Sequence, residues 1–172
     1  MKLTILTNDP SFTAWGWAVI RDGTVINVGC IKTSPENKKK RIRKSDDTIR
    51  RIQEINTELL RVIRKYHINY ILSEAPHGSQ NASAAVMIGV VTGIAQTISD
   101  ALNIPIEFYS EEDSKKCVLN KRSATKKEMI LAINKLYCVP WFDIGYKDEA
   151  VADAVAIFHT AMKFSNVLKM ME

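Results

Sequence analysis

The sequence predicts an α/β protein built on a mixed five-stranded sheet, three strands antiparallel and two parallel, with helices on both faces. Three observations carry that prediction. Apolar and polar residues alternate through the opening stretch, and Arg21-Asp22-Gly23-Thr24 is a tight-turn signal between two such runs. From about Ser45 the apolar spacing lengthens to three and four residues. Beyond that point short apolar runs alternate with long helical patterns, an order that builds parallel strands through crossovers.

Element by element, strands are predicted over about 2–8, 14–21 and 24–32. The polar, cation-crowded stretch "SPENKKKRIRKSDD" reads as a loop or a frayed helix start. Ile49, Ile52, Ile55, Leu59, Val62 and Ile63 then form one face of an amphipathic helix ending near Tyr66-His67. Ser45, Asp46 and Asp47 are its candidate N-caps. "INYILSE" is a strand ending at Glu74, and 81–102 is a long, apolar, small-residue helix. "IPIEFY" is the fifth strand, followed by helices over 123–136 and 147–162. The whole chain, 1–172, reads as one domain with no internal repeat.

Composition narrows the function classes. The chain is 46% hydrophobic and 25% charged, with a net charge of +5. That excess favours acidic partners, nucleic acid first among them. Cys30, Cys117 and Cys138 lack metal-ligand spacing and read as buried reduced thiols, which implies a cytoplasmic setting. No stretch approaches about 18 continuous apolar residues, so no membrane partner is expected. Trp15, Trp17 and Trp141 read as core or rim aromatics.

Three carboxylates stand where packing alone favours apolar residues. Asp9 ends the first strand, Glu74 ends "YILSE", and Asp153 lies among small apolar side chains in "AVADAVAIF". Glu149 is four residues earlier on the same helical face, with Asp148 beside it. Carboxylates gathered at a sheet end repel one another unless a cation lies between them. Mg²⁺ or Mn²⁺ suits such oxygen donors, and two such ions in one site are a standard device for cutting a phosphodiester. Each residue also has a plainer reading. Asp9 would cap a turn before Pro10-Ser11, Glu74 would be a strand-end surface residue, and Asp153 would pair with a lysine.

Four stretches in order carry a family resemblance over nearly the whole chain: "ILTNDPSFTAWGWAVI", "YILSEAPHGSQNASAAVMIGVVTGIA", "SKKCVLNKRSATKKEMI" and "VADAVAIFHTA". Together they resemble the RuvC family of Holliday-junction resolvases, within the ribonuclease H-like superfamily. The resemblance implies a ribonuclease H-like fold and a metal-dependent endonuclease that resolves four-way DNA junctions as a homodimer and leaves 5′-phosphate ends. It makes Asp9, Glu74 and Asp153 metal ligands, with two Mg²⁺ or Mn²⁺ ions per site. It puts Lys115 and Lys126 at the scissile phosphate, and His77 near a position where the family stacks an aromatic on junction bases. Asn81 falls in the loop that leads into the long helix and joins the DNA-binding set.

The chain departs from the family pattern at two places. Three residues before the last Asp the family carries a carboxylate or His, and this chain has Ala150. Glu149 is the substitute ligand by helical geometry and Asp148 the fallback, and a site of three protein carboxylates is the third possibility. Asn8 replaces an apolar residue before Asp9, either to orient that carboxylate or as a neutral choice.

Two basic clusters complete the reading. Lys38, Lys39, Lys40, Arg41, Arg43, Lys44, Arg50 and Arg51 form one run; Lys115, Lys116, Lys121, Arg122, Lys126 and Lys127 form the other. Either is a solvated face or a phosphate-contacting surface. Gly89 and Gly93, four apart on an apolar helix, suit close packing onto the sheet or a dimer partner. The rival functions are a broader branched-DNA or single-strand nuclease and a non-catalytic junction-binding protein.

Overall fold

A computed structural model describes residues 3–36, 42–75 and 77–170. The five strands are β1 (Thr4–Asp9), β2 (Ala14–Arg21), β3 (Thr24–Lys32), β4 (Tyr70–Glu74) and β5 (Ile106–Tyr109). They lie in the order β3-β2-β1-β4-β5, with β1–β2 and β2–β3 antiparallel and β1–β4 and β4–β5 parallel. The helices are α1 (Lys44–Tyr66), α2 (Ala82–Leu102), α3 (Glu111–Leu119), α4 (Lys126–Leu136), α5 (Gly145–Phe164) and α6 (Asn166–Lys169).

The period-two pattern of the strands separates two cores. Ile5, Ala18, Ile20, Tyr70 and Leu72 face α4 and α5, packing on Ile133, Val151 and Val155. Leu6, Trp17, Val19 and Ile71 face the other way, onto Ile55 and Leu59 of α1 and Ile94 and Ile98 of α2. Trp15 is fully buried in this second core, and its indole donates to Asn8 Oδ1 at 3.1 Å. Asn8 therefore serves the α1–α2 face, away from Asp9, because adjacent strand residues point to opposite sides. Trp141 is half-buried at the margin of the first core.

The structure corrects several sequence expectations. α1 begins at Lys44 with Arg43 at the N-cap and no side-chain cap; Asp46 and Asp47 fall inside the first turn instead. Asp47 accepts from the Glu36 amide and from Arg50, so it ties the preceding loop to the helix. α3 and α6 have no counterpart in the sequence reading, and α4 starts at Lys126 behind a Thr125–Glu128 capping box. The three cysteines are free, but Cys30 and Cys117 are half-buried and Cys138 is exposed.

α2 is, among the described residues, the one helix long and apolar enough to cross a membrane by length and composition. Thr92, Gln96, Thr97, Ser99 and Asp100 interrupt it, so the expectation about a continuous apolar run addressed a different property. One side of α2 packs on the sheet through Val91, Ile94, Ala95 and Ile98.

Candidate metal and nucleic-acid site

Because β1 and β4 run parallel, their C-terminal ends lie side by side. Asp9 is one residue beyond the Asn8–Ser73 pair, and Glu74 closes β4 opposite Tyr109. Asp9 shares its face with Ile5, and Glu74 with Tyr70 and Leu72, so both turn toward α5. α5 comes close over β2 at Gly16, the partner of Asp9 in the β1–β2 ladder. A Cβ at Gly16 would lie 2.1 Å from the Ala150 carbonyl oxygen, so only glycine admits the helix there. One turn further along α5, Asp153 reaches the strand ends.

Asp9, Glu74 and Asp153 line one cleft of ≈ 450 Å³ together with Lys126, Glu111, His77 and the β1–β2 turn. Lys126 ion-pairs with Asp153. Burial pushes the Asp9 carboxyl well above the usual range, and the Asp153 and Glu74 charges push it further. Glu74 is driven up to about 7 by burial, then by Asp153 and Glu111. Burial also raises Asp153, although Lys126 opposes it. Burial works against the Lys126 ammonium, but Asp153, Asp9 and Glu111 outweigh it and hold its pKa above the ordinary lysine value. The cleft thus concentrates anionic oxygen and lacks matching positive charge.

That donor set fits a hard divalent cation. Among the described residues no three carboxylate, imidazole or thiol groups already close on one point. Lys126 lies against Asp153, so an ion there would take Asp153 over from the lysine. Salt-bridge exchange with a half-exposed lysine is inexpensive.

The other predicted site residues fall into three groups. His77 is exposed at the cleft, its Nδ1 3.8 Å from Glu74 Oε1, and Lys115 is 2.6 Å from Glu111. Asp148 and Glu149 are not among the residues lining the cleft. Asp148 is buried, and its two oxygens accept from the Phe142 and Ile144 amides at 2.8 and 2.9 Å. It fixes the entry to α5 instead of facing the cleft. Glu149 is half-buried one residue further along the same turn. The helical-face argument brought Glu149 close, but the approach of α5 at Gly16 turns Ala150, not Glu149, to the sheet.

Asn81 is the N-cap of α2, its Oδ1 accepting from the Ala84 amide at 3.2 Å. Lys38, Lys39, Lys40 and Arg41 lie outside the described residues. Arg43 pairs with Asp46, while Lys44, Lys116 and Lys127 are exposed. Lys121 pairs with Glu128, and Arg122 with Glu112 at 3.6 Å. Arg50 and Arg51 leave the basic run for structural work. Arg50 holds Asp47, Glu54 and the Ser34 carbonyl. Buried Arg51 donates to Phe12 O and Thr33 Oγ1, its guanidinium 4.0 Å from the Phe12 ring centre. Arg51 therefore braces the β1–β2 turn that walls the cleft.

Glu111 is the cleft residue that sequence reasoning missed. A signal was present: Ser110-Glu111-Glu112-Asp113 is a helix start, with Ser110 Oγ accepting from the Asp113 amide at 3.1 Å. Glu111 opens α3 directly behind β5, which sheet order places beside β4.

Comparison with known proteins agrees with this geometry. The family model for "Crossover junction endodeoxyribonuclease RuvC" matches residues 5–160. The RuvC protein of Shewanella pealeana is 28% identical over 161 residues, covering 91% of this chain and 87% of its own length. That of Shewanella frigidimarina is 27% identical over 160 residues, with the same coverage. Among solved structures, Thermus thermophilus RuvC in complex with a Holliday junction substrate superposes with a TM-score of 0.72 at 19% identity, covering 96% of both chains. The yeast mitochondrial Holliday junction resolvase superposes with a TM-score of 0.59 at 14% identity, covering 98% of this chain and 84% of its own. The sheet order, the carboxylates at the parallel strand ends and a family match over nearly the full length together place this chain in the crossover junction endodeoxyribonuclease RuvC family.

Proposed function

We propose that this chain is a structure-selective DNA endonuclease that resolves four-way junctions by divalent-metal-dependent phosphodiester hydrolysis. The observation that carries this reading is the meeting of Asp9, Glu74 and Asp153 with Lys126 in one cleft at the ends of β1 and β4. Those three carboxylates would hold the metal, two Mg²⁺ or Mn²⁺ ions by this reading, which would supply activation of a water and charge neutralisation at the leaving oxygen. Lys126 has a separate task. Its ammonium lies among carboxylates that keep it charged, so once Asp153 lets it go it can neutralise the phosphate as negative charge develops. Lys115 lies on the same side, held by Glu111 until a phosphate competes for it. His77, exposed at the cleft, offers a flat face to an unstacked base.

The cations around α3 and α4 alternate with Glu111, Glu112 and Glu128. Phosphates displace such exposed pairs at little cost, which gives affinity without base reading and leaves selection to junction shape. In the homodimer we propose, α2 lies at the contact. Its free side and α1 line an apolar groove of ≈ 600 Å³ that includes Val90, Gly93, Ile52 and Leu60. A second copy covering this groove gives the two-fold symmetry a four-way junction asks for and keeps α2 from any membrane. Free thiols suit a cytoplasmic enzyme.

The test is a cleavage assay on a labelled synthetic four-way junction, beside linear duplex and single strand, in Mg²⁺, Mn²⁺ or chelator. Paired metal-dependent nicks in the junction alone, lost in Asp9→Asn, are expected. Cutting of every substrate would remove the junction selectivity. The missing acidic group at Ala150 favours one second reading, a junction-binding protein that does not cut. Tight junction binding without nicks in either metal would establish it.

A further inference from the structure

We infer that Glu111 supplies the fourth carboxylate of the metal centre, from the first turn of α3, in place of the acidic group that α5 lacks at position 150. This rests on the metal-centre reading above. The argument begins with what α5 offers. Ala150 ends at a methyl and lies against Gly16. Both Asp148 oxygens are taken by backbone amides. Glu149 does not line the cleft. The helix therefore brings one carboxylate to the cleft, Asp153, where the family resemblance implies two acidic or imidazole groups.

The opposite wall makes up the number. β5 pairs with β4 in the register Glu74 with Tyr109, and the Ala75 amide donates to the Tyr109 carbonyl at 2.8 Å. That bond holds the end of β5 beside Glu74. Ser110 then caps α3, and Glu111, two residues past Tyr109, lines the cleft with Asp9, Glu74 and Asp153. Its charge raises all three of those carboxyls and also Lys126, so it belongs to the same electrostatic unit. Lys115 Nζ lies 2.6 Å from a Glu111 oxygen, so a cation already occupies that carboxylate as Lys126 occupies Asp153.

The two lysine pairs are then equivalent devices. Lys126 on Asp153 and Lys115 on Glu111 each hold a ligand carboxylate from a different wall. When the carboxylates turn to metal, both ammonium groups are released toward the phosphate.

The experiment is Mn²⁺ titration of the full chain without DNA, by calorimetry and by the free-Mn²⁺ electron paramagnetic resonance signal. Glu111→Gln is expected to weaken Mn²⁺ binding by about tenfold or more, the scale on which metal-site partners act, while Glu149→Gln stays within about twofold of wild type. Lys115→Met is expected to bind Mn²⁺ at least as well as wild type, because a competing cation is gone. Wild-type affinity in Glu111→Gln, with affinity lost in Asp9→Asn, would overturn the assignment and leave the metal centre standing. Loss in Glu149→Gln would move the fourth ligand back to α5. Equal cleavage defects in Glu111→Gln and Lys115→Met with unchanged Mn²⁺ binding would reduce Glu111 to a positioning residue for Lys115. No Mn²⁺ binding by wild type would overturn the metal centre and this assignment together.

Discussion

α5 carries two buried aspartates within two turns, and they have opposite lives. Asp148 is 8% exposed and Asp153 is 6% exposed. Asp148 is answered by two backbone amides that the chain itself fixes in place. Asp153 is answered by the ammonium of Lys126, whose side chain is 47% exposed and free to leave. Burial alone therefore does not mark a working carboxylate. The partner does. Rigid neutral donors satisfy Asp148 permanently, whereas in the site we propose an exposed cation holds Asp153 until a better cation or substrate arrives.

The largest effect that separates the two is on cleavage. Asp153→Asn should lower junction cleavage by on the order of 10³-fold while the protein stays folded, since the substitution removes a charge that burial opposes. The same assay on Asp148→Ala should show a much smaller loss per folded molecule. Equal loss from both would erase the distinction and put Asp148 back among the ligands.

This contrast also shows what the sequence could display. The strands were legible because Ile5, Ala18, Ile20 and Leu72 alternate with residues of the opposite face. α1 and α2 were legible because their apolar stripes recur at helical spacing. Asp9, Glu74 and Asp153 stood out as acids at strand ends or among small apolar residues. The choice among Asp148, Glu149 and Ala150 was not legible. Neighbouring positions on one helix differ by about 100° in direction, and the angle of α5 is set by the distant Gly16 contact. α3 hid for another reason. Ser114 is its one fully buried residue, so its sequence carries almost no apolar stripe, and only its capping pattern announces it. Arg50 and Arg51 were read with a basic run because charge counts do not reveal that Arg51 braces Phe12.

The second effect is on stability and runs in the reverse direction. Asp148→Ala should cost about 2–3 kcal/mol, because the Phe142 and Ile144 amides lose their acceptor at the entry to α5. Asp153→Asn should cost little in chelator. Urea unfolding of both variants, metal-free, measures the difference. A stability loss in Asp153→Asn as large as in Asp148→Ala would show that Lys126 is a structural partner after all.

A third effect is seen in pH dependence. Glu74 sits at about 7 in the folded chain against its usual 4.5. A raised carboxyl means that the folded state binds the extra proton. The contribution of Glu74 to stability in chelator is therefore fully present below about pH 4.5, is lost as pH rises through about 7, and then levels off. The fall should be on the order of 3 kcal/mol and should flatten in Glu74→Gln. Asp9 and Asp153 push the same way. Mg²⁺ should reverse the slope, because it binds the deprotonated groups. Melting temperature against pH, with and without Mg²⁺, reads both arms. A metal-free stability that rises over that range would mean the cleft carboxylates already have permanent partners.

The smallest effect concerns the exposed pairs, which extend the same logic to the rim. Lys121 is held by Glu128, and both side chains are largely open to solvent. Glu128 accepts from Lys121 and from the Thr125 amide and hydroxyl, which together hold its carboxyl down to about 2, and the Thr125 bonds keep its side chain in place when the lysine leaves. Lys121 is thus the mobile half of its pair, as Lys126 is of the other. Lys121→Ala should leave the melting temperature unchanged within error. It should reduce the slope of log binding constant against log salt for a junction bound by the homodimer by about 1.8, one phosphate contact of about 0.9 from each protomer. An unchanged slope would mark Lys121 as a partner of the α4 cap alone and confine the exchangeable cations to the cleft.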